Sequence, residues 1–260
     1  MRIAGLQKTT LLDFPGRLAC VVFSPGCNFR CPYCHNPSLV IPPGPGVSGE
    51  GEGEGEGKKE GNLPDLEAFI DSRAGWLEGV VFSGGEPTLQ EGLEEALVAV
   101  RRRGLSTKLD TNGSRPDVLA HLLSRNLLDY VALDVKAPGE RYHAVTGVPA
   151  FPAVEASLAL LRSWSGGWET RTTVVPGLVP PEDVGLIARE IAPVPRYVLQ
   201  PFRPQSTWDP ALGATPPPTE EDLERAAAWA STLLPQVFLR SNSGEIRPFK
   251  ALQGSYGVDF

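Results

Sequence analysis

Residues 27–34 read CNFRCPYC, so three of the chain's four cysteines fall within eight residues at the spacing C-x3-C-x2-C. Cysteines clustered in this way are typical of metal or redox sites, whereas disulfide-bonded domains spread their cysteines along the chain. Three thiolates can hold three irons of a four-iron cubane, although protein ligation of such clusters normally uses four cysteines. The spacing therefore predicts a [4Fe–4S] cluster on Cys27, Cys31 and Cys34, with one iron open to a substrate or cofactor.

Two further residues bear on this cysteine loop. A zinc site completed by His35 is the alternative, but four ligands within nine residues would be cramped and no second cysteine pair follows. Arg30 and His35 flank the cluster residues. They could tune the reduction potential of the cluster, contact a partner protein or simply face solvent. Cys20 lies in the apolar run 18–23, so we interpret it as a small buried side chain rather than a ligand.

The composition limits the protein's class. With 260 residues and 41% hydrophobic side chains, the chain can bury a substantial core. A net charge of −7 gives no basic footprint, so we expect no nucleic-acid partner. No run of 18 apolar residues suggests a membrane span, and MRIAGLQKTTLLDF at the start lacks the apolar stretch of a signal peptide. A cytoplasmic protein is therefore expected.

Apolar, strand-like runs alternate with helical stretches along the chain. The predicted strands are 18–24, 79–83, 105–110, 129–135, 169–175, 197–200 and 237–240. The predicted helices are 66–73, 92–103, 116–125, 152–163, 181–191 and 220–234. This alternation predicts an α/β fold in which parallel strands are covered by helices. Six or seven such units form most of a barrel, and an open doubly wound sheet is the alternative.

We expect residues 1–260 to form a single domain with one insertion. Residues 42–62 read PPGPGVSGEGEGEGEGKKEGN and contain almost no apolar side chains. Glycine-rich, charged segments of this kind lose much entropy on ordering and bury little surface in return. The segment at about 42–62 is therefore predicted to be a flexible surface insertion.

Polar motifs follow three successive predicted strands. The run SGGEP at 83–87 offers glycines that allow close backbone approach, and Glu86 is an anionic acceptor for an ammonium group. The runs DTNG at 110–113 and DVK at 134–136 end the next two strands. Parallel strands end at one face, where barrel enzymes carry their active sites. Solvated strand ends or helix caps are the plainer interpretation of Asp110 and Asp134.

Later strands add two candidates. Arg171 is a charge inside an otherwise apolar strand, and an inward-pointing guanidinium needs an anion. Gln200 ends a later strand and could reach the same cavity.

The ordered motifs resemble those of the radical S-adenosylmethionine (SAM) superfamily. The resemblance rests on C-x3-C-x2-C after a first strand, an aromatic residue before the last cysteine and the GGEP motif. It implies a partial (β/α)6-type TIM barrel of the radical SAM type, one [4Fe–4S] cluster, and SAM bound to the open iron through its amino and carboxylate groups. On this basis the predicted SAM-binding residues are Tyr33, Gly84, Gly85, Glu86, Asp110, Asn112, Asp134, Lys136 and Arg171.

The N-terminal pattern is similar to a narrower group. GLQK at 5–8, LDFPG at 12–16 and CHNP at 34–37 resemble the anaerobic ribonucleoside-triphosphate reductase activating proteins, which are glycyl-radical enzyme activating enzymes. The resemblance is strong to about residue 40, ordered to about 178, and departs at the glycine–glutamate insertion. It implies reductive cleavage of SAM to methionine and a 5′-deoxyadenosyl radical, which removes an α-hydrogen from a glycine of a partner enzyme. A flavodoxin- or ferredoxin-type donor would supply the electron.

The same resemblance implies a monovalent cation beside the SAM carboxylate. Its ligands would be Asp110, the carbonyls of Thr111 and Ala132, and Asp134, with Na⁺ or K⁺ as the ion. Two carboxylates close to each other and to SAM would repel, and a cation would relieve this. The alternative is that both aspartates bind ribose hydroxyls or cap loops.

Two other functions stay open. One is a small-molecule radical SAM synthase resembling 7-carboxy-7-deazaguanine synthase. The other is a non-catalytic iron–sulfur protein such as an electron carrier, although a carrier has no use for the GGEP motif.

Overall fold

The computed structural model describes residues 1–40 and 61–250. In those ranges the strands are β1 Arg2–Ile3, β2 Gly5–Thr10, β3 Ala19–Ser24, β4 Gly61–Asn62, β5 Gly79–Gly84, β6 Ser106–Thr111, β7 Tyr130–Asp134, β8 Gly167–Val174, β9 Tyr197–Pro201, β10 Val237–Arg240 and β11 Ile246–Pro248. The helices are α1 Pro37–Val40, α2 Leu63–Ser72, α3 Leu93–Arg102, α4 Pro116–Ser124, α5 Tyr142–Thr146, α6 Phe151–Ser163, α7 Pro181–Ile191 and α8 Glu220–Ser231.

The predicted alternation of strands and helices is confirmed. Each of the seven predicted strands is present with ends shifted by at most two residues, and each predicted helix with ends shifted by at most three. Helix α3 shows the reason, because its apolar positions at helical spacing are the ones that are buried: Leu93, Ala96, Leu97 and Val100. Gly104 follows it with φ of +74°, the left-handed conformation that ends many helices.

The chain forms two compact units, and the first comprises residues 1–29, 36–111 and 117–131. Its strands follow the order β2-β3-β5-β6, with β2 antiparallel and the others parallel. Ala19 pairs with Gly79, and Gly79 pairs with Ser106, so these three strands begin and end together. Their carboxyl ends therefore place Ser24, Gly84 and Thr111 along one edge of this sheet.

The LDFPG run supports this first sheet from the opposite end. Phe14 is 2% exposed and packs in a core cluster with Ala19, Val21 and Val81. A Cβ on Gly79 would lie 2.9 Å from the Phe14 ring, so only glycine fits beneath it. This run therefore has a structural role.

The second unit comprises residues 30–35, 112–116 and 132 onward. Strands β8, β9 and β10 are parallel neighbours, and β11 adds an antiparallel edge. Strand β7 begins in the first unit and ends in the second at Asp134, and the amide of Val135 donates to the Arg171 carbonyl at 2.9 Å. Helices α7 and α8 pack on each other, and α8 covers β9 and β10.

Most of the predicted insertion, residues 42–60, lies outside the described residues. Its last two residues form strand β4, which pairs with β1. Asn62 also caps α2 in a reciprocal pair of hydrogen bonds with Asp65, so the regular fold resumes at Gly61. The single-domain organisation stays a prediction.

Among the described helices none is by itself long and apolar enough to cross a membrane, and one bent pair, 139–146 with 151–163, passes only a test of length and composition.

Candidate active site

The glycine pair after β5 makes a close backbone contact with the loop after β3. Gly84 has φ of +118°, and a Cβ there would lie 2.6 Å from the Ser24 carbonyl oxygen. A Cβ on Gly85 would lie 2.6 Å from the carbonyl carbon of Gly26 and closer still to its oxygen. The amides of Gly85 and Glu86 donate to the Ser24 and Gly26 carbonyls, both at 2.8 Å. Only residues without side chains allow the two loops to meet in this way.

Glu86 is a buried acceptor at this strand end. Its side chain is 1% exposed. Its Oε1 atom accepts hydrogen bonds from the Thr88 amide at 3.1 Å, the Thr88 hydroxyl at 2.5 Å and the Thr111 hydroxyl at 2.7 Å. Thr111 ends the neighbouring strand β6, so the parallel register brings it to Glu86. Sequence reasoning found Glu86 but missed Thr88 and the Thr111 side chain.

Asp110 has its own cation within the first unit. Lys108, 1% exposed and two residues earlier on β6, forms an ion pair with the Asp110 carboxylate. The Lys108 ammonium also lies 5.8 Å from the centre of the Tyr130 ring, within range of a cation–π interaction. A charge buried this deeply needs such partners. Sequence reasoning missed Lys108 because it lies mid-strand.

In the second unit, Asp134 lies between two cations. Its carboxylate contacts the Lys136 ammonium at 2.8 Å and the Arg171 guanidinium Nε at 2.8 Å. Burial alone would raise the pKa of Asp134, but Arg171 and Lys136 hold it well below its usual range. Burial opposes the charge of Lys136, yet Asp134 raises its pKa above the ordinary value. Asp134 is therefore an anion that pairs with Arg171, and a contact of Arg171 with the SAM carboxylate stays a prediction.

This pairing changes the argument for a cation. The case for a cation starts from repulsion between Asp110 and Asp134 that Lys136 relieves in part. Each carboxylate has a cationic partner in its own unit: Lys108 for Asp110, and Arg171 as well as Lys136 for Asp134. Ala132 is fully buried in β7 and Thr111 is 2% exposed. The Na⁺ or K⁺ site stays a prediction that rests on the resemblance, without the electrostatic support claimed for it.

Two buried phenols surround Lys136. The Tyr33 hydroxyl donates to the Lys136 carbonyl at 3.4 Å, and the Lys136 amide donates to the Tyr142 hydroxyl at 3.4 Å. Burial raises the pKa of both Tyr33 and Tyr142 above its ordinary value, and negative charge at Cys31 raises each further. Both rings are therefore neutral at physiological pH. Tyr142 gave no signal in the sequence.

Asn112 and Gln200 have local partners. The Asn112 side-chain oxygen accepts from the Ser114 amide at 3.0 Å, a turn-forming contact ahead of α4. Gln200 donates to the Thr173 hydroxyl at 2.9 Å.

The cysteines of the loop are free thiols with different exposure. Cys31 is buried, and Cys27 and Cys34 are half-buried. Cys27 belongs to the first unit, where its sulfur accepts from the Phe29 amide at 3.4 Å. In the second unit the Cys34 amide donates to the Cys31 carbonyl at 3.1 Å. Cys20 is fully buried in β3, and burial raises the pKa of its thiol to about 12, so it stays protonated as a core residue.

A segment after β9 packs on residues 30–35 within the second unit. The Phe202 ring stacks on His35 at a centroid distance of 6.3 Å. The Arg30 guanidinium lies 5.9 Å from the centre of a Trp208 ring, and the Asp209 amide donates to the Pro32 carbonyl at 2.9 Å. Burial, with Arg203 and Lys136 nearby, lowers the pKa of His35 to about 4, so the imidazole is neutral. We call residues 202–209 the clasp.

In residues 1–40 and 61–250, no three His, Cys, Asp or Glu side chains lie close enough together to hold a single metal ion.

The sequence profile of the Radical SAM superfamily matches residues 21–190, which is more than half of the chain. The chain belongs to the radical SAM superfamily. It is therefore a radical SAM enzyme with the predicted α/β fold class, which in this superfamily is a partial TIM barrel with parallel strands.

Two curated relatives of this radical SAM enzyme are named as activating enzymes. Pyruvate formate-lyase 1-activating enzyme of Escherichia coli K12 is 30% identical over 240 residues, which cover 86% of this chain and 92% of that protein. A protein of Methanocaldococcus jannaschii with the provisional name glycyl-radical enzyme activating enzyme is 29% identical, covering 93% and 97%. Among solved structures, archaeal TYW1 is 12% identical with a TM-score of 0.55, covering 88% of this chain and 77% of that one, and shows the fold alone.

The cofactors of this superfamily, a [4Fe–4S] cluster and SAM, suit the residues described. Three free thiols at C-x3-C-x2-C leave one iron of a cubane open. The contact at Gly84 and Gly85, where any Cβ would collide, keeps backbone rather than side chains at the end of β5. Glu86 adds a buried anionic acceptor of the kind that an ammonium group requires.

Proposed function

We propose that this radical SAM enzyme activates a glycyl-radical enzyme by removing one α-hydrogen from a glycine of that partner. The observation that carries the proposal is similarity along nearly the whole chain to proteins named for that activity, 92% of the Escherichia coli protein being covered. The two cofactors, when bound and reduced by one electron, supply the 5′-deoxyadenosyl radical that takes the hydrogen atom. A flavodoxin- or ferredoxin-type donor would provide the electron in the cytoplasm.

The proposed roles of the chain's own residues follow from their positions. Cys27, Cys31 and Cys34 hold three irons through their thiolates. Glu86 accepts hydrogen bonds from the SAM ammonium group, and the backbone at Gly84 and Gly85 forms the adjoining wall. These assignments are supported by motif order in the sequence and by the close contacts around the glycines.

Within the second unit, cationic groups are proposed to meet the SAM carboxylate. Lys136 and Arg171 together carry two positive charges against the single negative charge of Asp134. An ammonium and a guanidinium at this strand end are donors of the kind that a carboxylate ligand accepts from. Tyr33 is buried and neutral nearby, which suits a ring packed beside the adenine.

The finer proposal is that the partner is an anaerobic ribonucleotide reductase. It rests on the N-terminal pattern GLQK, LDFPG and CHNP. Gln7 and Lys8 are exposed on the edge strand β2, and Leu11 and Leu12 on the following loop are 73% and 44% exposed. Exposed side chains in such a pattern suit contact with another protein better than contact with a buried cofactor.

The test is glycyl-radical formation with defined partners. Reconstituted enzyme, SAM and a one-electron reductant are mixed anaerobically with purified anaerobic ribonucleotide reductase or, separately, with pyruvate formate-lyase. We expect a glycyl-radical electron paramagnetic resonance signal on the reductase, matched mole for mole by 5′-deoxyadenosine. A reductase with its radical glycine replaced by alanine is the control and should give no such signal.

The outcomes separate the two levels of the proposal. A radical on pyruvate formate-lyase alone would overturn the choice of partner but keep the activity. Formation of 5′-deoxyadenosine with no radical on either partner, accompanied by consumption of a small molecule, would overturn glycyl-radical activation itself.

A further inference from the structure

The buried carboxylate of Glu86 is held by side chains from two different chain segments. Thr88 lies in the single turn that follows β5, and Thr111 is the last residue of β6. Their hydroxyls donate to the same oxygen, Oε1, at 2.5 and 2.7 Å. Thr88 and Thr111 are 5% and 2% exposed, so water does not compete for these bonds.

This arrangement fixes the orientation of the carboxylate. A glutamate side chain has three rotatable bonds, and ordering it on ligand binding would cost conformational entropy. Three donors on one oxygen hold it in a single rotamer before the ligand arrives. The acceptor is therefore already oriented when the ligand binds.

We propose that Thr88 and Thr111 are positioning residues for SAM, acting through Glu86. Their hydroxyls preorganise the carboxylate that receives the SAM ammonium group, so part of the affinity for SAM depends on two side chains that need not touch it. The inference rests on the proposed function, in which Glu86 binds that ammonium group. It adds a side-chain role for Thr111, for which the sequence suggested only a carbonyl ligand.

The experiment measures SAM binding by calorimetry on anaerobically reconstituted protein, without turnover. Thr111→Val and Thr88→Val keep the shape of each side chain and remove its hydroxyl. Each is expected to weaken SAM binding roughly ten-fold, the lower end for one hydrogen bond to a charged group. Thr111→Ser and Thr88→Ser restore the hydroxyl and should bind SAM nearly as the parent protein does.

Two controls distinguish positioning from general loosening of the site. A SAM analogue that lacks the amino group should bind equally to the parent and to Thr111→Val, because its binding does not use the carboxylate. In a Glu86→Gln background, Thr111→Val should cause much less than its ten-fold effect, because the residue that it positions is already altered. A purely structural role would weaken both ligands and act equally in both backgrounds.

The binding results distinguish a failure of the proposed function from a failure of the positioning role alone. If Glu86→Gln binds SAM as the parent does, Glu86 is misplaced in the proposed function and the inference fails with it. If Glu86→Gln weakens binding while both valine variants bind normally, the positioning role alone is wrong. If Thr111→Val does not fold, Thr88→Val with its serine counterpart gives the same comparison, since the Thr88 amide bond to Glu86 is retained.

Discussion

Gly85→Ala should lower the stability of the fold, because the added methyl group collides with the backbone of Gly26. The new Cβ would lie 2.6 Å from the Gly26 carbonyl carbon and closer to the oxygen, whereas real Cβ atoms essentially never come within 3.0 Å of a heavy atom. The two loops must therefore separate by more than 0.4 Å, because 0.4 Å clears only the carbonyl carbon and the closer oxygen needs more room. That movement pulls on two backbone hydrogen bonds of 2.8 Å, from Gly85 to Ser24 and from Glu86 to Gly26.

The expected loss can be estimated from these two effects. Overpacking a well-packed site costs about 1–3 kcal/mol, and the upper end applies because the obstacle is backbone. Weakening one hydrogen bond adds about 1 kcal/mol, giving about 3–4 kcal/mol in total. For a chain of this size that corresponds to a melting temperature lower by roughly 6–16 °C. SAM binding should be lost in parallel, because Glu86 moves with the loop.

Gly16→Ala is the matched control. Gly16 has φ of +72° and nothing within 4 Å of its virtual Cβ, so alanine there suffers left-handed backbone strain without a collision. The expected loss is about 1–2 kcal/mol, with SAM affinity unchanged. Anaerobic thermal melts and SAM titrations of both variants provide the comparison. A Gly85→Ala protein as stable as the parent, and binding SAM as tightly, would refute the account of the glycine contact.

The remaining predictions concern the cysteine loop, the half-buried Glu190 and the clasp. Cys31→Ala should prevent the reconstituted protein from binding about four irons per chain, while Cys20→Ala should leave the iron content unchanged. Full iron content in Cys31→Ala would contradict the ligand assignment. Burial raises the pKa of Glu190, so its ionised form destabilises the fold above that pKa and the penalty disappears as pH falls through the unfolded value. Glu190→Gln should therefore stabilise by a few tenths of a kcal/mol at pH 7 and not at pH 4, and equal effects at both values would contradict the assignment. Trp208→Ala removes the ring beside the Arg30 guanidinium. This variant should show faster proteolysis of the cysteine loop, with the helical content measured by circular dichroism unchanged. An unchanged rate of cleavage would show that the clasp does not stabilise the cysteine loop.

Seven of the eleven described strands and six of the eight described helices could be predicted, because the local pattern of apolar residues reflects their burial. The run Val80–Phe82 is apolar and fully buried, and the positions of α3 at helical spacing face the core. Strand β2 was missed because it lies at an edge with Gln7, Lys8 and Thr9 exposed, so its sequence carries no apolar run. Helix α5 is only five residues long, too short for a periodic signal.

The candidate site shows a similar division. Residues in recognisable motifs, including Glu86, Asp110 and Lys136, can be proposed from the sequence. Their respective contacts with Thr88, Lys108 and Tyr142 cannot, because these depend on strand register or tertiary packing that the local sequence does not encode. The clasp was missed for the same reason, since only the folded chain brings residues 202–209 to the cysteine loop.

The ion pairs at the strand ends bear on whether Asp110 and Asp134 require a bound Na⁺ or K⁺. An uncompensated pair of buried carboxylates would require an added cation, because removing such charges from water is costly. Here Asp110 is paired with Lys108 inside the first unit, and Asp134 is paired with Lys136 and Arg171 inside the second. Among these three side chains of the second unit, two are cationic and one is anionic. A monovalent cation is thus not needed to neutralise either aspartate, and any requirement for one must come from a ligand that adds further negative charge.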